Sequence, residues 1–295
     1  MRRSVFFTWV LAVAGLSVLL GSCKKTSETE LEAANFDFPY DFSSPDIYEL
    51  VDDLTEISGI SPLADSTGLL AINDESGKLF WLDATGRITK VKWFHKVGDY
   101  EDLAVVGKGV FVMKSNGNLY HVPDITLDSL RSVTYKANAK DEVEFESLTF
   151  DAASNRLLLL VKDGESVDTR APFYGFDIRK MQFEDNHVLT LDPSQAPGVS
   201  TKGRSYRSSA MAFHPITGHL YVVASINKML LVCDRNGNGI ASVKLPKKMF
   251  PQPEGLCFLP NGDLYISTEG KGKKGKLIRF EYLPGAHQKI KAASE

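Results

Sequence analysis

Cysteine is scarce, with three residues in a chain of 295. That excludes a disulfide scaffold, and no Cys or His spacing of the zinc type occurs. The six histidines, His95, His121, His187, His214, His219 and His287, are scattered. No Gly-x-Ser-x-Gly elbow is present, so no nucleophile can be named. Charge of one sign is lacking too: the formal net charge is −3, which gives no footprint for nucleic acid. No stretch keeps a 3.6-residue apolar period, which argues against amphipathic helices.

Long apolar runs are absent except at the start. Met-Arg-Arg is followed by an apolar stretch from Val5 to Leu20 and then by Leu20-Gly21-Ser22-Cys23. The order of charged, apolar and small-residue regions is that of a secretory signal. At 16 residues the stretch falls short of the ~20 needed to span a bilayer core. Leu20-Gly21-Ser22-Cys23 resembles the bacterial lipobox, which makes residues 1–22 a cleaved signal peptide and Cys23 the acylation site. Several acyl chains together anchor stably where one binds marginally. Lys24, in place of Asp, resembles outer-membrane sorting. The expected setting is the cell envelope, with the membrane as a partner through the lipid. Cys233 and Cys257 both sit in apolar runs, as buried free thiols do, although an exported protein is permitted a bridge.

Residues 23–44 are rich in Glu, Ser, Thr and Lys and read as a flexible tether. A folded domain is expected over 45–284 and a polar tail over 285–295. Within the domain, short apolar segments such as Leu79-Phe80-Trp81-Leu82, Leu157-Leu158-Leu159-Leu160-Val161 and Leu220-Tyr221-Val222-Val223 are bounded by turn residues such as Asn116-Gly117-Asn118 and Asn261-Gly262-Asp263. This is an all-β pattern. Five stretches begin alike: Glu56-Ile57-Ser58-Gly59, Tyr100-Glu101-Asp102-Leu103, Phe145-Glu146-Ser147-Leu148, Ser208-Ser209-Ala210-Met211 and Pro253-Glu254-Gly255-Leu256. Aligning Ser58, Glu101, Glu146, Ser209 and Glu254 gives spacings of 43, 45, 63 and 45. Repeats of ~40–50 residues built of four strands are propeller blades. The surplus in the third interval is too small for another blade and fits loops at Asp163–Pro172 and Gln195–Ser205, so five blades are expected. The last repeat has only three strands, and Asp46-Ile47-Tyr48-Glu49-Leu50 can supply its outer one, which would close the ring and cover its edge.

The residue opening each innermost strand faces the central tunnel. Glu101, Glu146 and Glu254 therefore converge, and three carboxylates in a narrow channel must protonate, pair with bases or bind a cation. An oxygen-only set suits calcium. Pairing with Lys114 and Lys162, at the ends of second strands, satisfies the same residues equally well. Asp74, within Asn73-Asp74-Glu75, and Glu269 occupy the same second-strand end in blades one and five. They complete a metal shell, line a polar pocket or simply cap turns. Asp234-Arg235-Asn236-Gly237-Asn238-Gly239 opens like an EF-hand loop but has Leu245 at its twelfth place and no flanking helices, so a strand turn is expected. The 270–276 run resembles a P-loop but continues into Leu277 between strands, and reads as a basic turn.

Glu56-Ile57-Ser58-Gly59-Ile60, Asn73-Asp74-Glu75, Phe80-Trp81-Leu82-Asp83, Ala212-Phe213-His214-Pro215-Ile216-Thr217-Gly218 and Phe250-Pro251-Gln252-Pro253-Glu254-Gly255 together resemble the SdiA-regulated (YjiK-like) family of bacterial β-propellers, over Tyr48 to Tyr282. The resemblance implies a five-bladed propeller with bound calcium, distantly similar to NHL-repeat propellers, some of which are metal-dependent hydrolases. Two functions follow as expectations. One is a calcium-binding module that captures a ligand or protein at the propeller face. The other is a metal-dependent hydrolase of a lactone, ester or phosphoester, in which calcium polarises the substrate oxygen. Fold does not decide between them.

Overall fold

The computed structural model describes residues 31–32, 36–137, 143–162, 170–199 and 206–285. The signal segment and Cys23 lie outside the described residues. Among the described residues, 21 strands form five antiparallel sheets. Blade one is β3 (Ile57–Pro62), β4 (Leu69–Asn73), β5 (Lys78–Leu82) and β6 (Ile88–Trp93). Blade two is β7 (Tyr100–Val106), β8 (Gly109–Lys114), β9 (Leu119–Val122) and β10 (Val133–Tyr135). Blade three is β11 (Phe145–Asp151), β12 (Arg156–Val161), β13 (Ala171–Asp177) and β14 (Gln182–Leu191).

Blade four is β15 (Ala210–Phe213), β16 (Leu220–Ala224), β17 (Met229–Cys233) and β18 (Gly239–Lys244), with β1 (Leu31–Glu32) added at its rim. Blade five is β19 (Gln252–Phe258), β20 (Leu264–Glu269) and β21 (Lys276–Phe280), and its outermost strand is β2 (Asp46–Glu49). The β2–β21 register pairs Asp46 with Arg279 and Glu49 with Lys276. Among the described residues the only helical pieces are two 3-10 turns, Asp52–Leu54 and Pro193–Gln195, and no helix is long and apolar enough to cross a membrane.

A blade is covered on both faces by its neighbours, so its inner strands do not alternate. All five residues of β16 and of β17 are buried, which is why these strands read as uninterrupted apolar runs. The core is divided into packets between blades. Leu54, Ile60, Phe80 and Tyr265 join blade one to blade five, and Phe111, Phe145, Leu159 and Phe176 join blade two to blade three. Turn chemistry fixes the hairpins. Gly262 has φ of +95°, and a Cβ there would lie 2.6 Å from the Tyr282 ring, so both its conformation and its surroundings require glycine.

The surplus of the third interval is only partly loop. The ten-residue strand β14 absorbs much of it, while 163–169 and 200–205 lie outside the described residues. The tether reading of 23–44 extends too far. Phe38, Tyr40 and Phe42 are buried in the packet between blades four and five, with Phe36 packed against it. Tyr40 donates its hydroxyl to the Gly262 carbonyl at 2.8 Å, and the Leu283 amide reaches the Pro39 carbonyl. Residues 36–42 form an aromatic strap, and the packed structure begins nine residues before the expected boundary. Cys233 and Cys257 are both buried and free. The 234–239 stretch is the β17–β18 turn, held by Asp234 Oδ1 accepting the Asn236 and Asn238 amides. The 270–276 run joins β20 to β21.

Candidate functional site

The five innermost strands β3, β7, β11, β15 and β19 contact one another in a closed ring. Four of the five residues expected at the tunnel sit at a register break: Ser58, Glu101, Glu146 and Glu254 are each the extra residue of a bulge against the second strand. A bulge interrupts the pleat and re-aims one side chain. In blade four, Ser209 lies just outside β15, donating its amide to the Val223 carbonyl and its hydroxyl to the Pro253 carbonyl of blade five. In four of the five blades, the repeat seen in the sequence is thus a repeated backbone device that presents one side chain at one mouth of the tunnel.

The second-strand ends bring Asp74, Lys162, Ser225 and Glu269 to the same mouth, as their mutual electrostatics show. Burial, with Glu146 and Asp99 nearby, pushes the Glu101 carboxyl up to about 8. Burial, then Glu146 and Glu269, raises Glu254 to about 8 as well, although Ser225 and Gln252 hydrogen-bond it. Glu269 rises to about 7 through burial, Asp74 and Glu56, and Asp74 to about 6 through burial, Glu56 and Glu75. Each group is held back from ionising by loss of water and by its acidic neighbours. Among the described residues, Ser58 Oγ and Asp74 Oδ1 are buried here with no hydrogen-bond partner. Asn73 serves its turn instead, accepting from Ser76 and donating to the Asp53 carbonyl.

Of the two lysines expected to neutralise the mouth, Lys162 does so. It pairs with Glu146 and lies 3.4 Å from the exposed Glu144. Burial opposes its charge, but these carboxylates outweigh burial and raise its pKa. Lys114 does not take this role: its ammonium lies over the Tyr100 ring, 5.6 Å from the centroid, a cation–π contact. Lys228 and Lys271 add positive charge near Glu254 and Glu269, yet burial and the acidic neighbours still leave Glu101, Glu254 and Glu269 raised. In this arrangement, no three Asp, Glu, His or Cys side chains among the described residues converge on a single metal position.

Deeper in the tunnel, Asp102 is fully buried and accepts the Leu103 and Leu148 amides, both at 2.8 Å. Its carboxyl is raised by burial more than those two bonds lower it. The Leu148 bond ties blade two to blade three. Gly59 of blade one makes room for it, since a Cβ there would lie 2.7 Å from Asp102 Oδ1. Sequence reasoning passed over Asp102 because it stands beside Glu101. Its signal was the repeat itself, where the aligned positions hold the small residues Gly59, Ser147, Ala210 and Gly255. Beyond this layer lies a cavity of about 180 Å³. Each blade lines it with three consecutive residues: 60–62, 103–105, 148–150, 211–213 and 256–258.

The family model described as SdiA-regulated matches residues 42–271. The chain belongs to the SdiA-regulated family. The match takes in all five tunnel residues together with Asp74, Lys162 and Glu269, so the acidic mouth lies wholly within the family region. Solved structures with the same architecture include a glutaminyl cyclase from Myxococcus xanthus, 12% identical with a TM-score of 0.56, aligned over 80% of this chain and 94% of that one. A luciferin-regenerating enzyme, also 12% identical, has a TM-score of 0.48 and is aligned over 82% and 96%. At such identity the cyclase likeness establishes the propeller fold and says nothing of chemistry.

Proposed function

We propose that this SdiA-regulated protein is an envelope-anchored binding module that takes calcium at its acidic tunnel mouth and captures a ligand or partner there. The observation that carries the proposal is the cost of the mouth: Glu101 and Glu254 are held near 8, beside a Ser58 hydroxyl and an Asp74 oxygen that lack partners among the described residues. Such a site gains by taking up positive charge. The donors are oxygens, which suit a hard cation of flexible coordination number better than zinc or copper. Glu101, Glu146, Glu254, Asp74 and Glu269 are the residues that would hold it, after side-chain rotation brings them together. Bound calcium would neutralise the mouth and offer its remaining coordination positions to an anionic or carbonyl oxygen of the ligand.

Anchoring at Cys23, with a cleaved signal ahead of it and the outer membrane as its destination, is the second part of the proposal. It rests on the lipobox-like Leu20-Gly21-Ser22-Cys23. The test of the whole is direct calcium binding by the full chain and its loss when Glu101, Glu146 and Glu254 are all replaced by Gln, which keeps shape and removes charge. A chain that binds no calcium at millimolar concentration after chelation refutes the metal assignment.

A further inference from the structure

Several hairpin corners, and the turn that follows β14, are held by one recurring device. Asp65, Asp83, Asp151, Asp177, Asp192 and Asp234 each use Oδ1 to accept the amide of the residue two places on. The β15–β16 hairpin of blade four departs from it. There His214, at the position Asp151 holds in blade three, accepts the Ile216 and Thr217 amides through imidazole Nδ1, both at 3.1 Å. The corner therefore requires an unprotonated Nδ1, with the ring proton on Nε2. That Nε2 is buried without a partner among the described residues, and His214 is 1% exposed.

The strap lies directly on this corner. Tyr40 approaches the His214 ring at 6.2 Å between centroids, and Phe36 meets the His219 ring at 5.6 Å. The other rings against His214 are Phe258 at 4.9 Å, Tyr282 at 5.0 Å and Tyr221 at 5.9 Å. Titratable neighbours are thus His219 on the same hairpin, Tyr221 on β16, Tyr40 on the strap and Tyr282 beyond β21. The nearby Asp263 is engaged by Arg279 at 2.8 Å and by the Tyr282 amide. A proton on His214 would break both corner bonds and place a charge among aromatic rings.

We propose that residues 36–42 are an acid-released connector: protonation of His214 undoes the corner on which Tyr40 packs, and the strap leaves the groove between blades four and five. Burial, followed by the charge of His219, lowers the His214 pKa from 6.5 to about 4. The packed state is at full strength above pH 6.5, and its advantage falls as pH drops from there towards 4, because the open state binds the proton first. Once free, seven extended residues supply roughly 25 Å of slack between β1 on the rim of blade four and β2 on blade five. At Asp65, Asp83, Asp151, Asp177 and Asp234, hydrogen bonds outweigh burial and hold the carboxyl below its ordinary value, so those corners keep their acceptors and the response is confined to the β15–β16 hairpin.

The test is hydrogen exchange on the full chain at pH 7.5 and 4.5, corrected for intrinsic rates. Strap amides are expected to show a roughly 70-fold rise in opening at pH 4.5 over pH 7.5, from the two pKa values above, while β16 and β20 stay protected. His214→Asn supplies an acceptor that does not titrate, and its strap should stay closed at both pH values, whereas His219→Asn should still open in acid. Strap protection that ignores pH in the wild type, or acid opening that persists in His214→Asn, overturns the proposal. An NMR titration of the wild-type ring is the independent check. His214 must titrate below the ordinary imidazole range and in step with the strap amides, and a normal titration uncoupled from them also overturns it.

Discussion

Replacing Lys162 by Met removes the cation paired with Glu146 and keeps most of the side chain's apolar bulk. Lys162 is 33% exposed at its side chain and Glu146 16%, whereas Glu144 is 66% exposed. The Glu144 contact is therefore worth at most about 1 kcal/mol. Breaking a fully buried pair costs ~3–5 kcal/mol; discounted for partial exposure, the loss at Glu146 comes to about 2–3 kcal/mol. For a domain of this size that lowers the melting temperature by roughly 5–10 °C. The deficit has a sign in pH. Lys162 is the cation that restrains Glu101, whose carboxyl is already raised to about 8. An acid with a raised folded pKa loses stability as pH climbs through that value and is relieved below it. The variant should thus be weakest near pH 9 and approach the wild type near pH 5. Calcium should also restore more stability to it than to the wild type, since one competing charge is gone. The assay is thermal melting at pH 5, 7 and 9, with and without calcium. A variant that melts with the wild type at pH 9, or a deficit that does not change with pH, refutes the electrostatic account of the mouth.

Cys23→Ser should abolish metabolic palmitate labelling and move the protein out of the membrane fraction, and persisting label would contradict acylation at that residue. Deleting Asp46–Glu49 strips β21 of its outer partner and removes the 2.9 Å Arg279–Asp46 ion pair. Melting of the whole ring, followed by circular dichroism, should fall in one cooperative transition. An unchanged midpoint would mean that β2 contributes nothing to closure.

The blade count was legible because each innermost strand opens with the same short pattern, and five such patterns at blade-length spacing leave little choice of architecture. What the pattern concealed was its cause: the Glu or Ser recurs because a bulge recurs there, and register breaks leave no mark in hydrophobic periodicity. The strap was missed for a different reason. The polar composition of 24–35 dominated the reading, although Phe36, Phe38, Tyr40 and Phe42 alternate with the period of a strand. Lys114 and Lys162 are equivalent in sequence, and only the Tyr100 ring, which draws Lys114 aside, separates their roles. Whether Glu101, Glu146 and Glu254 meet at one point depends on side-chain torsions that no spacing encodes.

The most direct test of the acidic mouth as a cation site is a calorimetric titration of calcium into the chelated full chain at pH 7, run in two buffers of different ionisation enthalpy. Glu101 and Glu254 carry protons at that pH, being held near 8, and calcium must displace them to bind. Binding accompanied by proton release, and lost when Glu101, Glu146 and Glu254 are all Gln, is the predicted result. Binding without proton release, or binding that survives the triple replacement, would place calcium elsewhere and contradict the account.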